Sequence, residues 1–250
     1  MNFIGVDGCR KGWFTISIDQ DGHYDFKIFD HINALWQAYK DSSLILIDIP
    51  IGLPHWRRRF CDVEARKILG KRGSSVFPAP SREAIQQPDY ESACKVNQKI
   101  LGKKLSIQAW NICPKIKQVD DLMNNNEEAR KQIRESHPEV CFWALADGIA
   151  MIYNKKTEPG FEERFSLLKN VMKMTEQIVN EAVQTFRRKD VAKDDILDAL
   201  ALAITAASPS ETLCTIPEKP ERDLKNLPME IVCTNRFLKF DDFAPNRICD

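Results

Sequence analysis

Over the first fifty positions, apolar residues fall into short runs separated by turn residues. Asn2–Cys9 (NFIGVDGC) and Gly12–Asp19 (GWFTISID) each carry the partial alternation of a half-buried strand, and Tyr24–Phe29 (YDFKIF) continues the pattern after a turn at Gly22. The spacing therefore predicts three strands, the last two forming a hairpin. Residues 31–40 fit a short helix, and the strongly apolar LILIDIPI at 44–51 fits a further core strand. Three strands, a crossover helix and another strand point to an α/β fold rather than an all-helical one.

The middle of the chain changes character. Residues 57–70, 89–101 and 107–123 have helical periodicity, whereas SSVFPAP at 74–80 predicts an ordered loop, because Pro78 and Pro80 lack backbone donors and restrict φ. A strand is expected at 132–136, followed by HPEVCFWAL. Helices are then predicted at 160–169, 174–188 and 194–206. In the last of these, Leu197, Leu200 and Leu202 supply a packing face, and Asp194 is expected to cap or face solvent near the positive end of the helix dipole. Residues 1–207 are read as one domain with a helical insertion around 55–130. Residues 208–250 form an appendix of unknown role, with a short strand at 230–232 or a helix after Arg236.

Composition narrows the classes without choosing among them. The chain has 250 residues, 43% hydrophobic and 29% charged, which suits a globular protein rather than a disordered or fibrous one. Its 36 basic and 36 acidic residues cancel, which removes a uniformly basic nucleic-acid coat but leaves room for a local one. Residues 55–104 hold 12 Lys/Arg against 5 Asp/Glu, an excess of seven. Arg57, Arg59, Arg66, Arg72 and Arg82 from this segment, with Arg10 from the first turn, are candidates to bracket a phosphate-bearing substrate. Trp56 or Phe77 can stack on a base, although packing is the better explanation of each. The eight cysteines show no CxxC pair, and no basic leader or long apolar run is present, so reduced thiols, a cytoplasmic location and no membrane partner are expected.

The chemistry resides in acids placed at the ends of apolar runs. Asp7 follows FIGV and Asp48 follows LILI, so two distant segments can bring carboxylates to one sheet edge. Separately, each acid can be a loop-organising hydrogen bonder. Together they suit a divalent cation, because Mg²⁺ and Mn²⁺ prefer oxygen ligands. In DDILDALA, Asp195 and Asp198 are three residues apart and share a helix face, where their repulsion calls for a cation or solvent. Glu139 in HPE can ligate a metal or orient a water, and His137 can contact a phosphate or shuttle a proton.

The combination GVDGCRKGW (5–13), IDIPIGLP (47–54), RxCDxxAR (59–66), GKRGSSVFPAP (70–80), LSIQAW (105–110), HPEVCFWAL (137–145), KKTxxG (155–160) and DDILDALALA (194–203) resembles a largely uncharacterised family of predicted RNase H-like nucleases. Its wider superfamily includes the retroviral integrases and the Holliday-junction resolvases. The resemblance runs from about residue 3 to 207. It implies an RNase H-like mixed sheet flanked by helices and a metal-dependent phosphodiesterase site. Asp7, Asp48, Asp195 and Asp198 would be metal ligands, Glu139 would join the catalytic set, and Mg²⁺ or Mn²⁺ would be the cofactor. The expected function is hydrolysis of nucleic-acid phosphodiesters. A non-catalytic nucleic-acid-binding or protein-interaction module is one alternative. An actin-like nucleotide phosphotransferase is another, although Gly8, Gly12, Gly70 and Gly73 do not form GxxxxGK[ST].

Overall fold

A computed structural model of the chain describes residues 1–235. Strands β1 (Asn2–Cys9), β2 (Gly12–Asp19), β3 (Tyr24–Phe29), β4 (Leu44–Ile47) and β5 (Ile133–Glu135) form one mixed sheet in the order β3-β2-β1-β4-β5. The first three are antiparallel neighbours, while β4 runs parallel to β1 and β5 parallel to β4. Helix α1 (Ile32–Tyr39) provides the crossover that a parallel β1–β4 pair needs.

Helices cover both faces of this sheet. On one face Ile4, Val6, Trp13, Ile45 and Ile47 pack with α1, α4 (Tyr90–Leu101) and α5 (Ile107–Asn125). On the other, Phe14, Ile16, Ile18 and Leu46 pack with α7 (Pro138–Leu145), α8 (Glu158–Val171), α9 (Thr175–Thr185) and α10 (Lys193–Ala206). The insertion between β4 and β5 also holds α2 (Phe60–Ile68), a 3₁₀ turn at Gly70–Ser75, α3 (Arg82–Ile85) and α6 (Glu127–Gln132). Side-chain oxygens of Ser81, Asp89, Ser106 and Asn126 each accept a first-turn N–H, which fixes where four of these helices begin.

Gly5 sets the distance between sheet and α10. A Cβ at that position would lie 2.0 Å from the Ala199 carbonyl oxygen and 2.3 Å from the Ala203 nitrogen, so only glycine lets the helix backbone rest directly on β1. Helix α10 is correspondingly buried through Ile196–Ala206, and Leu197, Leu200 and Leu202 pack as expected.

Three expectations are revised. The apolar run at 44–51 is a strand only through Ile47; beyond it the backbone leaves the ladder, and the N–H groups of Ile51 and Leu53 go instead to Glu135 Oε2 (2.6 Å) and Asp223 Oδ2 (2.9 Å). Helical structure expected from residue 57 begins at Phe60, with Arg59 at its N-cap. The short strand at 230–232 belongs to a longer hairpin, β6 (Leu213–Arg222) with β7 (Pro228–Thr234), whose register is interrupted between Ile216 and Glu221. This hairpin is tied to the larger sheet by a bridge between Ser136 and Val232. Its Met229, Ile231 and Cys233 pack with Cys61, Ala65 and Val140. The alternative of a helix after Arg236 lies outside the described residues.

Candidate active site

Strand periodicity accounts for the orientation of the first two acids. On β1, Ile4 and Val6 face the α1/α5 core, so Gly5 and Asp7 face α10. On β4, Leu46 faces that same side, and Asp48 follows two positions later. Parallel pairing puts Val6 beside Ile47, and the Asp48 N–H bonds to the Val6 carbonyl at 3.0 Å. Asp7 and Asp48 are therefore neighbours in register at the carboxyl ends of adjacent strands. The close approach allowed by Gly5 then brings Asp195 and Asp198, on the first two turns of α10, over the same edge.

Asp7 lies within electrostatic reach of the other three acids. Burial, then the carboxylates of Asp198, Asp48 and Asp195, push Asp7 well above the ordinary carboxylate range, against Lys155. Asp198 is 0% exposed and is pushed up to about 7, chiefly by burial, with Asp48 and Glu139 adding to the rise and Lys155 opposing it. Asp195 is also raised by burial and by Asp194, although its Oδ2 accepts the Ala192 N–H at 2.9 Å. Asp195 thus makes the capping contact that the sequence assigned to Asp194.

Glu139 is held from α7. His137 caps that helix through Nδ1, accepting the Glu139 N–H at 3.2 Å, so its predicted phosphate contact competes with a structural bond. Arg164 of α8, 1% exposed, donates to Glu139 Oε1 from Nε at 3.1 Å and from Nη2 at 2.6 Å. The other oxygen, Oε2, lies 3.7 Å from Arg72 Nε, and neither atom has a hydrogen-bond partner. Asp198 Oδ1 is likewise buried and unpartnered, while Oδ2 accepts from Lys155 Nζ. Three buried polar atoms without a hydrogen bond thus belong to residues of one acidic neighbourhood. Arg72 Nε and Glu139 Oε2 offset each other's charge at 3.7 Å, whereas Asp198 Oδ1 has no such neighbour and carries a penalty of about 1–3 kcal/mol.

The other proposed arginines have different places. Arg10 is exposed in the β1–β2 turn. Arg57 is exposed, pairs with Glu221 and stacks on the exposed Trp56 ring, 4.5 Å from its centroid. Arg66 donates to the Val76 carbonyl. Arg59 and Arg82 sit among carboxylates of the interior: Arg59 with Asp62 and Glu135, Arg82 with Asp120 and Asp223. Of the six arginines, Arg72 reaches the acids, through Glu139. Sequence reasoning missed Lys155 and Arg164. Lys155 sits in the KKTxxG segment, where no periodicity marks it, and Arg164 is one charge among many on α8.

Among the described residues, the one group with three ligand atoms mutually within 4.8 Å is Asp19, Asp21 and His23, at the opposite end of β1. Asp19 there accepts the N–H groups of Asp21 and His23 at 2.9 and 2.8 Å, and its other oxygen meets His23 Nδ1 at 2.9 Å. These bonds organise the turn between β2 and β3. The oxygens of Asp7, Asp48, Asp195 and Asp198 are more widely spread, with the Lys155 ammonium among them.

Residues 5–222 match the family model described as "Protein of unknown function (DUF429)". The chain belongs to this family. The DUF429 match spans the sheet, the inserted helices, the acidic cluster and β6, ending at Arg222. No curated protein and no solved structure matches the chain. Among the described residues, no helix is long and apolar enough to cross a membrane.

Proposed function

We propose that this protein is a divalent-metal-dependent phosphodiester hydrolase acting on nucleic acid, with an RNase H-like fold. The observation that carries the proposal is the gathering of Asp7, Asp48, Asp195 and Asp198 from two strand ends and one helix, with a buried Asp198 oxygen left unpartnered. The mixed sheet flanked by helices is compatible with the fold implied by the sequence resemblance.

An all-oxygen, carboxylate-rich donor set fits Mg²⁺ or Mn²⁺ better than a softer ion. The proton affinities of Asp7, Asp195 and Asp198 are raised first by burial and then by neighbouring carboxylates, and a bound cation would oppose both. These four acids would hold the ion, which when bound supplies an activated water and charge stabilisation at phosphorus.

The remaining residues position and select. Arg164 fixes Glu139 by two N–H donations to Oε1, which leaves Oε2 available to accept from a water. Arg72, 17% exposed, faces Glu139 through Nε at 3.7 Å and offers its guanidinium to a phosphate oxygen. Exposed Arg10 extends positive charge along the rim. Cytoplasmic action on DNA or RNA is part of this proposal.

The test is cleavage of labelled single-stranded, duplex and branched DNA and RNA by purified protein with Mg²⁺ or Mn²⁺. Asp7→Asn is expected to abolish cleavage while retaining the circular-dichroism spectrum. A folded, metal-loaded protein that cuts none of these substrates would sink the proposal.

A further inference from the structure

We propose that the Lys155 ammonium takes the place of one cation in the acidic cluster, so the chain holds one divalent ion fewer than its carboxylates alone would bind. This inference rests on the metal-binding reading above and specifies its stoichiometry.

Lys155 is built into place. Upstream, Glu163 accepts the N–H groups of Ile152 and Tyr153 at 2.8 and 3.0 Å. Arg164 Nη1 donates to the carbonyls of Tyr153 and Gly160 at 3.2 and 2.7 Å. Downstream, the Asn154 carbonyl accepts both the N–H of Thr157 (2.9 Å) and its hydroxyl (2.7 Å). A Cβ on Gly160 would lie 1.9 Å from that same oxygen, so the final glycine of KKTxxG is what lets the loop close on α8. The backbone on both sides of Lys155 is thereby clamped to one helix before its side chain extends.

The side chain ends where a cation is wanted. Nζ pairs with Asp198, whose carboxylate side chain is 1% exposed, while the lysine side chain itself is 31% exposed. Its charge also acts on Asp7 and Asp48. An ammonium donates three hydrogen bonds and accepts none, so it can satisfy oxygens that would otherwise face a metal. Two-ion sites place their cations about 3.5–4 Å apart between shared oxygens. The wide spacing of these acids, with an ammonium already on Asp198, leaves one such position filled by the chain itself.

The experiment counts Mn²⁺ bound per full-length chain at pH 8, by electron paramagnetic resonance of the free ion. Lys155→Met is expected to bind one more Mn²⁺ than the wild type, and Lys155→Arg, which keeps the charge, to bind the wild-type number. Thermal melts establish that each variant is folded. Lys155→Gln, which keeps a donor for Asp198, replaces the Met variant if that one does not fold. Equal, non-zero counts in the wild type and the uncharged variant would overturn the inference while leaving the metal site intact. Binding by neither would overturn the metal reading itself, and this inference with it.

Discussion

The protein buries charge in two ways, and the contrast separates scaffold from candidate chemistry. Around Arg59, every group is matched. Its guanidinium reaches Asp62 (2.5 and 3.2 Å), Glu135 (2.6 and 2.8 Å) and the carbonyls of Ile51 and Gly52 (3.1 and 3.3 Å). Glu135 also takes the Ile51 N–H and Asp62 the Ala79 N–H, so the cluster pins the loop after β4 to α2 and the following turn. In the acidic cluster, by contrast, Asp198 Oδ1 has no hydrogen-bond partner, and Glu139 Oε2 and Arg72 Nε face each other at 3.7 Å without closing a hydrogen bond. Buried charge that saturates its own neighbours holds a fold together. Buried charge with atoms left over is what the proposed metal and substrate would engage.

The largest expected effect would break the first half of that comparison. Arg59→Met leaves Asp62 and Glu135 buried without their cation, and stability measured by urea unfolding is expected to fall by about 3–5 kcal/mol. A fall under about 1 kcal/mol would return Arg59 to the substrate-facing role suggested by its sequence neighbourhood.

A smaller effect sharpens the second half. With divalent ions removed by chelation, Asp198 keeps its proton in the folded protein up to about 7, whereas the ordinary aspartate value is 3.8. The native state therefore binds more protons than the unfolded one across that window, and this group's contribution to stability declines as pH rises from about 4 to about 7. One such proton contributes a slope of at most about 1.4 kcal/mol per pH unit. Urea unfolding at several pH values should give a shallower decline in Asp198→Asn than in the wild type. Identical slopes would mean that Asp198 is ionised throughout.

The smallest effect is expected at the surface. Arg57→Ala removes an exposed pair with Glu221 and a stack on Trp56, and should cost less than about 1 kcal/mol in the same unfolding measurement. A loss comparable to that of Arg59→Met would erase the distinction between rim and interior arginines.

These contrasts also explain what could be read in the sequence. The strands β1 to β4 were legible because their apolar positions follow the sheet's period and their ends are marked by Asp, Gly or turn residues. Asp7, Asp48, Asp195 and Asp198 stood out for the same reason: each sits where an apolar pattern meets an acid. Arg59 and Arg82 resembled surface charge because each is also bound by a carboxylate far along the chain, Glu135 76 positions from one and Asp223 141 from the other, although Asp62 lies only three residues from Arg59. Local composition carries no trace of the distant partners. The hairpin of β6 and β7 was hidden by Pro217, Pro220 and an irregular register, which disturb alternation. Lys155 was invisible because its position depends on loop closure rather than on any repeat.

Gly5 carries a consequence for anyone screening variants of this protein. It offers no atom to a metal, a proton or a phosphate, yet a methyl group there must push α10 off the sheet and draw Asp198 away from Asp7. A search for lost function would recover Gly5 alongside the acids, and a residue without a side chain would be mistaken for one of the chemical groups whose separation it sets.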